Sequence, residues 1–233
     1  MVTQPPLTRL QAWIDIALLV SLVLLSSLLA ADLVRAVLHG LRLPVVLVLQ
    51  GALILLVLRG LLWYRGESWG DLGLRELRPV DLGRAVGALL LCFVINVALT
   101  SLLFVFAGTD LAEHFATLQR VALELQKGVP YGGLVAMMLF VGIYEEIAAR
   151  GFLLARSRRA LSGAWAPVLL SSALFGLGHI YQGWVGVAQT FLIGVILARL
   201  TLHWGTLWPA ILAHAGLNTL SLTLIRALPG LKS

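Results

Sequence analysis

"YGGLVAMMLFVGIYEEIAARGFLL", residues 131 to 154, is an apolar run long enough to cross a bilayer, yet it holds two adjacent carboxylates and an Arg. A membrane-spanning helix needs about 20 predominantly apolar residues. Ionised side chains near its centre cost roughly 2.5 to 3.5 kcal/mol each, so Glu145, Glu146 and Arg150 left unpaired would cost on the order of 8 to 10 kcal/mol. That rivals the whole stability of an ordinary domain, about 5 to 15 kcal/mol. The three must be paired, hydrated in a cavity or neutral, and how this is achieved decides what the span does.

The rest of the chain gives this stretch its setting. Of 233 residues, 60% are hydrophobic and 12% charged, and the mean hydropathy is strongly positive, which is far from the profile of a soluble domain. Apolar runs of spanning length recur near residues 12 to 34, 43 to 63, 84 to 107, 131 to 154, 164 to 181, 184 to 202 and 207 to 225. The expected fold is all-α: a polytopic transmembrane helical bundle of about seven spans, with six to eight as the range. Short connectors, "RSRRALSG", "YQG" and "HWGT", separate the last four spans, which should therefore pack as one antiparallel group. Residues 131–226 are thus expected to form a four-helix transmembrane core, the candidate for catalysis because it holds the buried polar residues, and residues 1–130 a scaffold with a polar loop and an interfacial helix.

"IDIALLVSLVLLSSLLAAD", residues 14 to 32, resembles a signal core followed by small residues, but in a polytopic chain it reads as a retained anchor. The single Cys92 lies within an apolar span, which leaves no disulfide framework and no thiolate pair for a metal. The net charge of +6 does not point to nucleic acid here, because the basic residues collect in loops. With seven helices, one side carries Arg9, Arg59, Arg65, Arg75, Arg78, Arg84, Arg156, Arg158, Arg159 and Arg199. The other carries Arg35, Arg42, Arg120, Lys127, Arg226 and Lys232, so the excess favours a cytoplasmic N-terminus; the expected location is a bacterial cytoplasmic membrane.

Two polar stretches interrupt the spans. "RGESWGDLGLRELRPVDLGR", residues 65 to 84, reads as a connection punctuated by Gly and Pro. In "TDLAEHFATLQRVALELQKGVP", residues 109 to 130, Leu111, Phe115, Leu118, Val121 and Leu125 recur at helical spacing. Asp110 and Glu113 suggest a capping box, and Gly128 with Pro130 a stop. This segment is expected to lie in the interface, as a connector or as a gate over a cavity.

Spacing sorts the polar residues of the last four spans. Glu146 and Arg150 are four apart and share a helix face, whereas Glu145 is turned about 100° away, so one carboxylate is free to be structural and the other to react. His214 and Asn218 are also four apart, as are Phe175 and His179. A carboxylate and an imidazole about one water apart can deprotonate that water for attack on a carbonyl. A second imidazole and an amide can then donate hydrogen bonds to the oxyanion. No HExxH, no GxSxG and no pair of membrane Asp residues competes with this set. A zinc site of Glu145 or Glu146 with His179 and His214 is the chemical alternative, since two His and one carboxylate leave a position open for water.

"EEIAARG", "FGLGH" and "HAGLN" resemble the EExxxR, FxxxH and HxxxN motifs of the CPBP family of intramembrane proteases, also called Abi or CAAX-protease and bacteriocin-processing, which is related to the Rce1 prenyl-protein endopeptidases. The resemblance covers about residues 140 to 220, with a suggestive "DLGL" at 71 to 74. It implies a membrane endopeptidase in which Glu145 and His179 activate water, His214 and Asn218 form the oxyanion hole, and Glu146 and Arg150, with Phe175, support the site. It also implies no resident cofactor in the glutamate-type branch, and zinc under the older metalloprotease description. The expected partners are the lipid bilayer and a membrane-associated peptide or protein substrate, lipidated or not, and no nucleic acid. One departure is Ala149, where members commonly carry a bulky aromatic before the motif Arg. It bears on substrate choice or helix contact and not on reaction type.

Each pair also has a structural reading, as an ion-pair tie, an interfacial His or a polar contact between helices. Asn96, Gln50 and Gln189 read as such contacts, Asp15 and Asp32 as residues near the ends of the first span, and His203, Trp204 and Trp208 as an interface belt. "GLGHIYQGWVG" lacks the Lys and preceding strand of a phosphate loop. The rival function is a proton-coupled carrier or a bacteriocin-immunity-like protein with the same buried polar network. Against it stand the absence of repeated broken helices and the presence of every motif residue.

Overall fold

Leu, Val, Ala and Ile supply both helix propensity and a lipid-compatible surface, and inside a bilayer the backbone has to satisfy its own hydrogen bonds. The computed structural model describes residues 7–36, 43–106 and 108–227, and these are helical with short connections. The helices are α1 (Arg9–Ala36), α2 (Leu43–Arg65), α3 (Pro79–Phe106), α4 (Gly108–Gln126), α5 (Tyr131–Glu146), α6 (Leu154–Ala160), α7 (Ala166–Leu177), α8 (Gly183–Trp204) and α9 (Trp208–Ala227). A π-helical segment, Ile147–Leu153, joins α5 to α6 without a break, and a 3₁₀ turn, Ile180–Gln182, precedes α8. Among the described residues six helices are long and apolar enough to cross a membrane. The chain is an all-α, polytopic integral membrane protein. Arg35, Asp32, Arg226 and the residues around them have side chains outside the described set, and Arg42 and Lys232 lie outside the described residues altogether.

The fifth expected span, 164 to 181, is shorter in the structure. Helix α7 has 12 residues, about 18 Å, against a hydrocarbon thickness of about 30 Å. Its end has a local cause. The Phe175 carbonyl accepts the His179 ring Nδ1 at 3.0 Å, while the His179 backbone N–H bonds Gly176 at 2.9 Å, so the last turn tightens into 3₁₀ geometry. The ring has taken the acceptor that another α-turn would need.

Helix α9 is the centre of the bundle, packed against α3 and α5, while α7 pairs with α8, α2 with α5, and α1 with α6. Gly142 allows the α5–α9 approach: a Cβ there would sit 2.9 Å from the Ile211 carbonyl oxygen and 3.2 Å from the Ala215 Cβ. Small residues at such crossings are how membrane helices gain packing when lipid is as apolar as they are. Gln50 bonds Ser26 and Ser27 from α2 to α1, and Gln189 bonds Thr100 from α8 to α3. The Asn96 side chain makes no such bond among the described residues.

Two surface expectations change. Arg156, expected in a loop, is buried at 3% exposure and bonds Asp15 Oδ2 at 2.8 Å and both oxygens of Glu67, while Arg65 takes Asp15 Oδ1 at 2.7 Å. Asp15 is therefore the buried hub of a four-residue ion network that ties α1, α2 and α6 together. The segment from 65 to 84 is a connection as expected, but a docked one: Gly73 O accepts Leu207 N–H at 3.0 Å and Arg75 O accepts Trp208 Nε1–H at 2.6 Å.

The stretch from 109 to 130 is a helix packed on α8 and α9 as well as α3. Its buried side carries His114, Ala122 and Leu125, while Phe115 is 42% exposed, so the inward face is rotated from the expected stripe. Helix α4 starts at Gly108, which puts Asp110 inside its first turn and not at a cap; the side chains of Asp110 and Leu111 lie outside the described residues.

Candidate active site

The span from 131 to 154 carries its charges on two faces. Glu146, fully buried, accepts Arg150 Nη1–H at 2.7 Å through Oε1. The same oxygen lies 2.7 Å from His214 Nδ1 on α9. An ionised carboxylate can only accept, so His214 presents Nδ1–H to Glu146 and turns Nε2 toward the other side of the ring. There it meets Glu145: His214 Nε2 is 3.6 Å from Glu145 Oε2. His179, from the turn after α7, brings its own Nε2 to 3.9 Å from the same oxygen. Its Nδ1 faces the Phe175 carbonyl, so the ring again donates from Nδ1 and leaves Nε2 inward.

Two imidazoles from two segments thus converge on Glu145 Oε2. Both separations exceed a direct hydrogen bond, about 3.0 Å, and both can be bridged by one oxygen atom. Side-chain exposures of 19% for Glu145, 16% for His179 and 8% for His214 leave the cluster recessed but open. Glu145 Oε2 is a buried atom without a hydrogen-bond partner among the described residues, as are Glu146 Oε2 and Arg150 Nη2.

Phe175 holds the group together from one side. Arg150 lies over its ring face at 4.1 Å, His214 meets it edge-on at 5.9 Å, and His179 packs at 4.8 Å. A guanidinium on an aromatic face gains roughly 0.5 to 2 kcal/mol where it is desolvated. Asn218 lies one turn beyond His214 and is half-buried, with no hydrogen bond among the described residues.

The two carboxylates differ in their neighbours: Glu146 contacts Arg150 and His214, and Glu145 lies near His179 and His214. Sequence spacing did not reveal that His214 spans both carboxylates. It also gave no sign of Tyr144, whose hydroxyl donates to Glu145 Oε1 at 3.2 Å. Neighbouring residues on a helix do not normally face each other, so no periodicity announces the contact. Among the described residues no group of three or more His, Cys, Asp and Glu side chains is arranged to hold a metal ion, the set Glu145, His179 and His214 included.

No curated protein and no solved structure matches the chain significantly. The family model of the type II CAAX prenyl endopeptidases, Rce1-like, matches residues 128–220, the stretch that contains every side chain just described. This C-terminal segment is thus similar to the Rce1-like type II CAAX prenyl endopeptidases.

Proposed function

We propose that the protein is an intramembrane endopeptidase that hydrolyses a peptide bond near or within the membrane by water activation, without a covalent enzyme intermediate. The convergence of His179 Nε2 and His214 Nε2 on Glu145 Oε2 carries this reading. A water between Glu145 and His179 gives up a proton to them as its oxygen bonds the scissile carbonyl carbon. The carbonyl oxygen becomes an oxyanion, which His214 and Asn218 stabilise by donating hydrogen bonds. The tetrahedral carbon then collapses, the C–N bond breaks and the proton passes to the leaving amine. For His214 to donate from Nε2 while Nδ1–H bonds Glu146, it acts in its imidazolium form. Glu145, Glu146, Arg150 and His214 then sum to zero charge, which suits a low-dielectric site.

Glu146, Arg150 and Phe175 hold His214 in place and take no proton from substrate. Residues 131–226 carry the chemistry in this reading and residues 1–130 surround it. The substrate is a membrane-associated peptide or protein, with or without a lipid. The membrane is a bacterial cytoplasmic one, with the N-terminus on the cytoplasmic side, consistent with the loop cations.

The test compares protein N- and C-termini by mass spectrometry in host membranes carrying the wild type or Glu145→Ala at equal abundance. A terminus formed only with the wild type supports proteolysis and identifies the substrate. Matching termini, with the same result for His179→Ala and His214→Ala, would sink the reading.

A further inference from the structure

We infer that Tyr144 is a positioning residue for the reaction proposed above: its hydroxyl fixes the Glu145 carboxylate so that Oε2 faces the two imidazoles. The terminal torsion of a glutamate is broad, so the plane of its carboxylate turns readily unless one oxygen is held. A base that works from the other oxygen needs that plane fixed. Tyr144 supplies the hold by donating to Oε1 at 3.2 Å, on the side of the carboxylate away from His179 and His214.

The hydroxyl is itself fixed by the ring that carries it. Tyr144 is 4% exposed and packs against Phe140, with ring centroids 5.6 Å apart. On its other side lies α2, at Gly51. A Cβ built at Gly51 would stand 2.7 Å from Tyr144 Cε1 and 2.7 Å from Phe140 Cε1, and closer still to Tyr144 Cδ1. Only a glycine leaves room for the two rings at this point of α2. The series Gly51, Tyr144, Glu145 therefore carries the placement of a scaffold helix into the reacting group. It gives α2 a part in the chemistry although no α2 side chain enters the site.

The test begins with the Glu145-dependent terminus described above and uses a synthetic peptide spanning it, cleaved by the full chain in liposomes. Tyr144→Phe keeps the ring and its packing and removes the donor. Expected is a fall in kcat of roughly ten- to hundred-fold, the size of one hydrogen bond to a charged group, with KM and Tm unchanged. Gly51→Ala displaces the ring and should lower kcat in the same direction, with some loss of Tm. An infrared difference spectrum against Glu145→Gln isolates the Glu145 carboxylate stretch, and Tyr144→Phe should shift it.

Wild-type kcat in Tyr144→Phe overturns the assignment, and so does an unshifted carboxylate band even where kcat falls. Failure of the protease reading itself is distinguishable, because the Glu145-dependent terminus is then missing before any Tyr144 variant is made, and the assignment falls with it.

Discussion

The molecule contains two buried ion clusters, and they are finished differently. Around Asp15 every carboxylate oxygen is taken: Arg65 and Arg156 share the two oxygens of Asp15, and Arg156 holds both oxygens of Glu67. Around Glu145 and Glu146 each carboxylate keeps one buried oxygen without a partner among the described residues. The closed cluster joins α1, α2 and α6 and leaves no carboxylate oxygen unpaired. The open one retains unsatisfied acceptors, which cost free energy unless something else uses them. One set of charges has its acceptors fully paired and the other does not.

That contrast breaks first at Glu145. Glu145→Ala should reduce cleavage of the Glu145-dependent terminus by roughly 10²- to 10⁴-fold, the usual yield of a positioned acid or base, without lowering Tm. A Tm loss matching that of Arg156→Ala would show the two clusters to be equivalent. Arg156→Ala should cost about 3 to 5 kcal/mol of unfolding free energy in detergent, since it strands Asp15 and Glu67. Residual cleavage per folded molecule should stay near wild type. Glu146→Ala and Arg150→Ala fall between these extremes and should lower both activity and Tm.

A smaller effect is expected at the α5–α9 crossing. Gly142→Ala places a methyl against the Ile211 carbonyl and should cost about 1 to 3 kcal/mol. It should also weaken cleavage, because the crossing sets the distance between Glu146 and His214. The smallest effect lies outside the bundle. Hydrogen bonds from the Ser68 side chain and backbone hold the Asp71 carboxyl below its ordinary range. Its contribution to stability is then present above the ordinary carboxylate pKa and is lost as pH falls through the lowered value. The Tm difference between wild type and Asp71→Asn should shrink on acidification from about pH 5 toward pH 3.

What could be read in the sequence follows from which signals are local. The Glu146–Arg150 pair and the opposite turn of Glu145 depend only on helix geometry, and both were legible. The Asp15–Arg156 pair joins residues 141 apart in sequence, and no spacing rule announces it. The end of α7 was missed because a run of apolar residues and glycines does not show that a histidine ring will claim the Phe175 carbonyl. On α4 the apolar stripe suggested Phe115 as inward-facing, yet His114 is buried instead, its Nδ1 2.9 Å from the Gln182 carbonyl oxygen. A tertiary hydrogen bond outweighed the amphipathic pattern. The three motif segments were readable as a set; the shared use of His214 by two carboxylates was not, because it depends on how α9 is rotated against α5.

The π-helical segment between Ile147 and Leu153 has a further consequence. Each turn of this kind accommodates one residue more than an α-turn and shifts the angular frame of whatever follows. Upstream, α5 aims its buried side at α2 and α9; downstream, α6 aims its own at α1 and α7. One continuous rod thereby serves two sets of neighbours that a uniform helix would serve in only one phase. Removing a single residue from the segment takes out the extra residue that the wider turn accommodates, lets the turn revert to α geometry and cancels the shift in phase between the two halves of the rod. Such a deletion should therefore harm the protein more than a substitution at any one of the same seven positions.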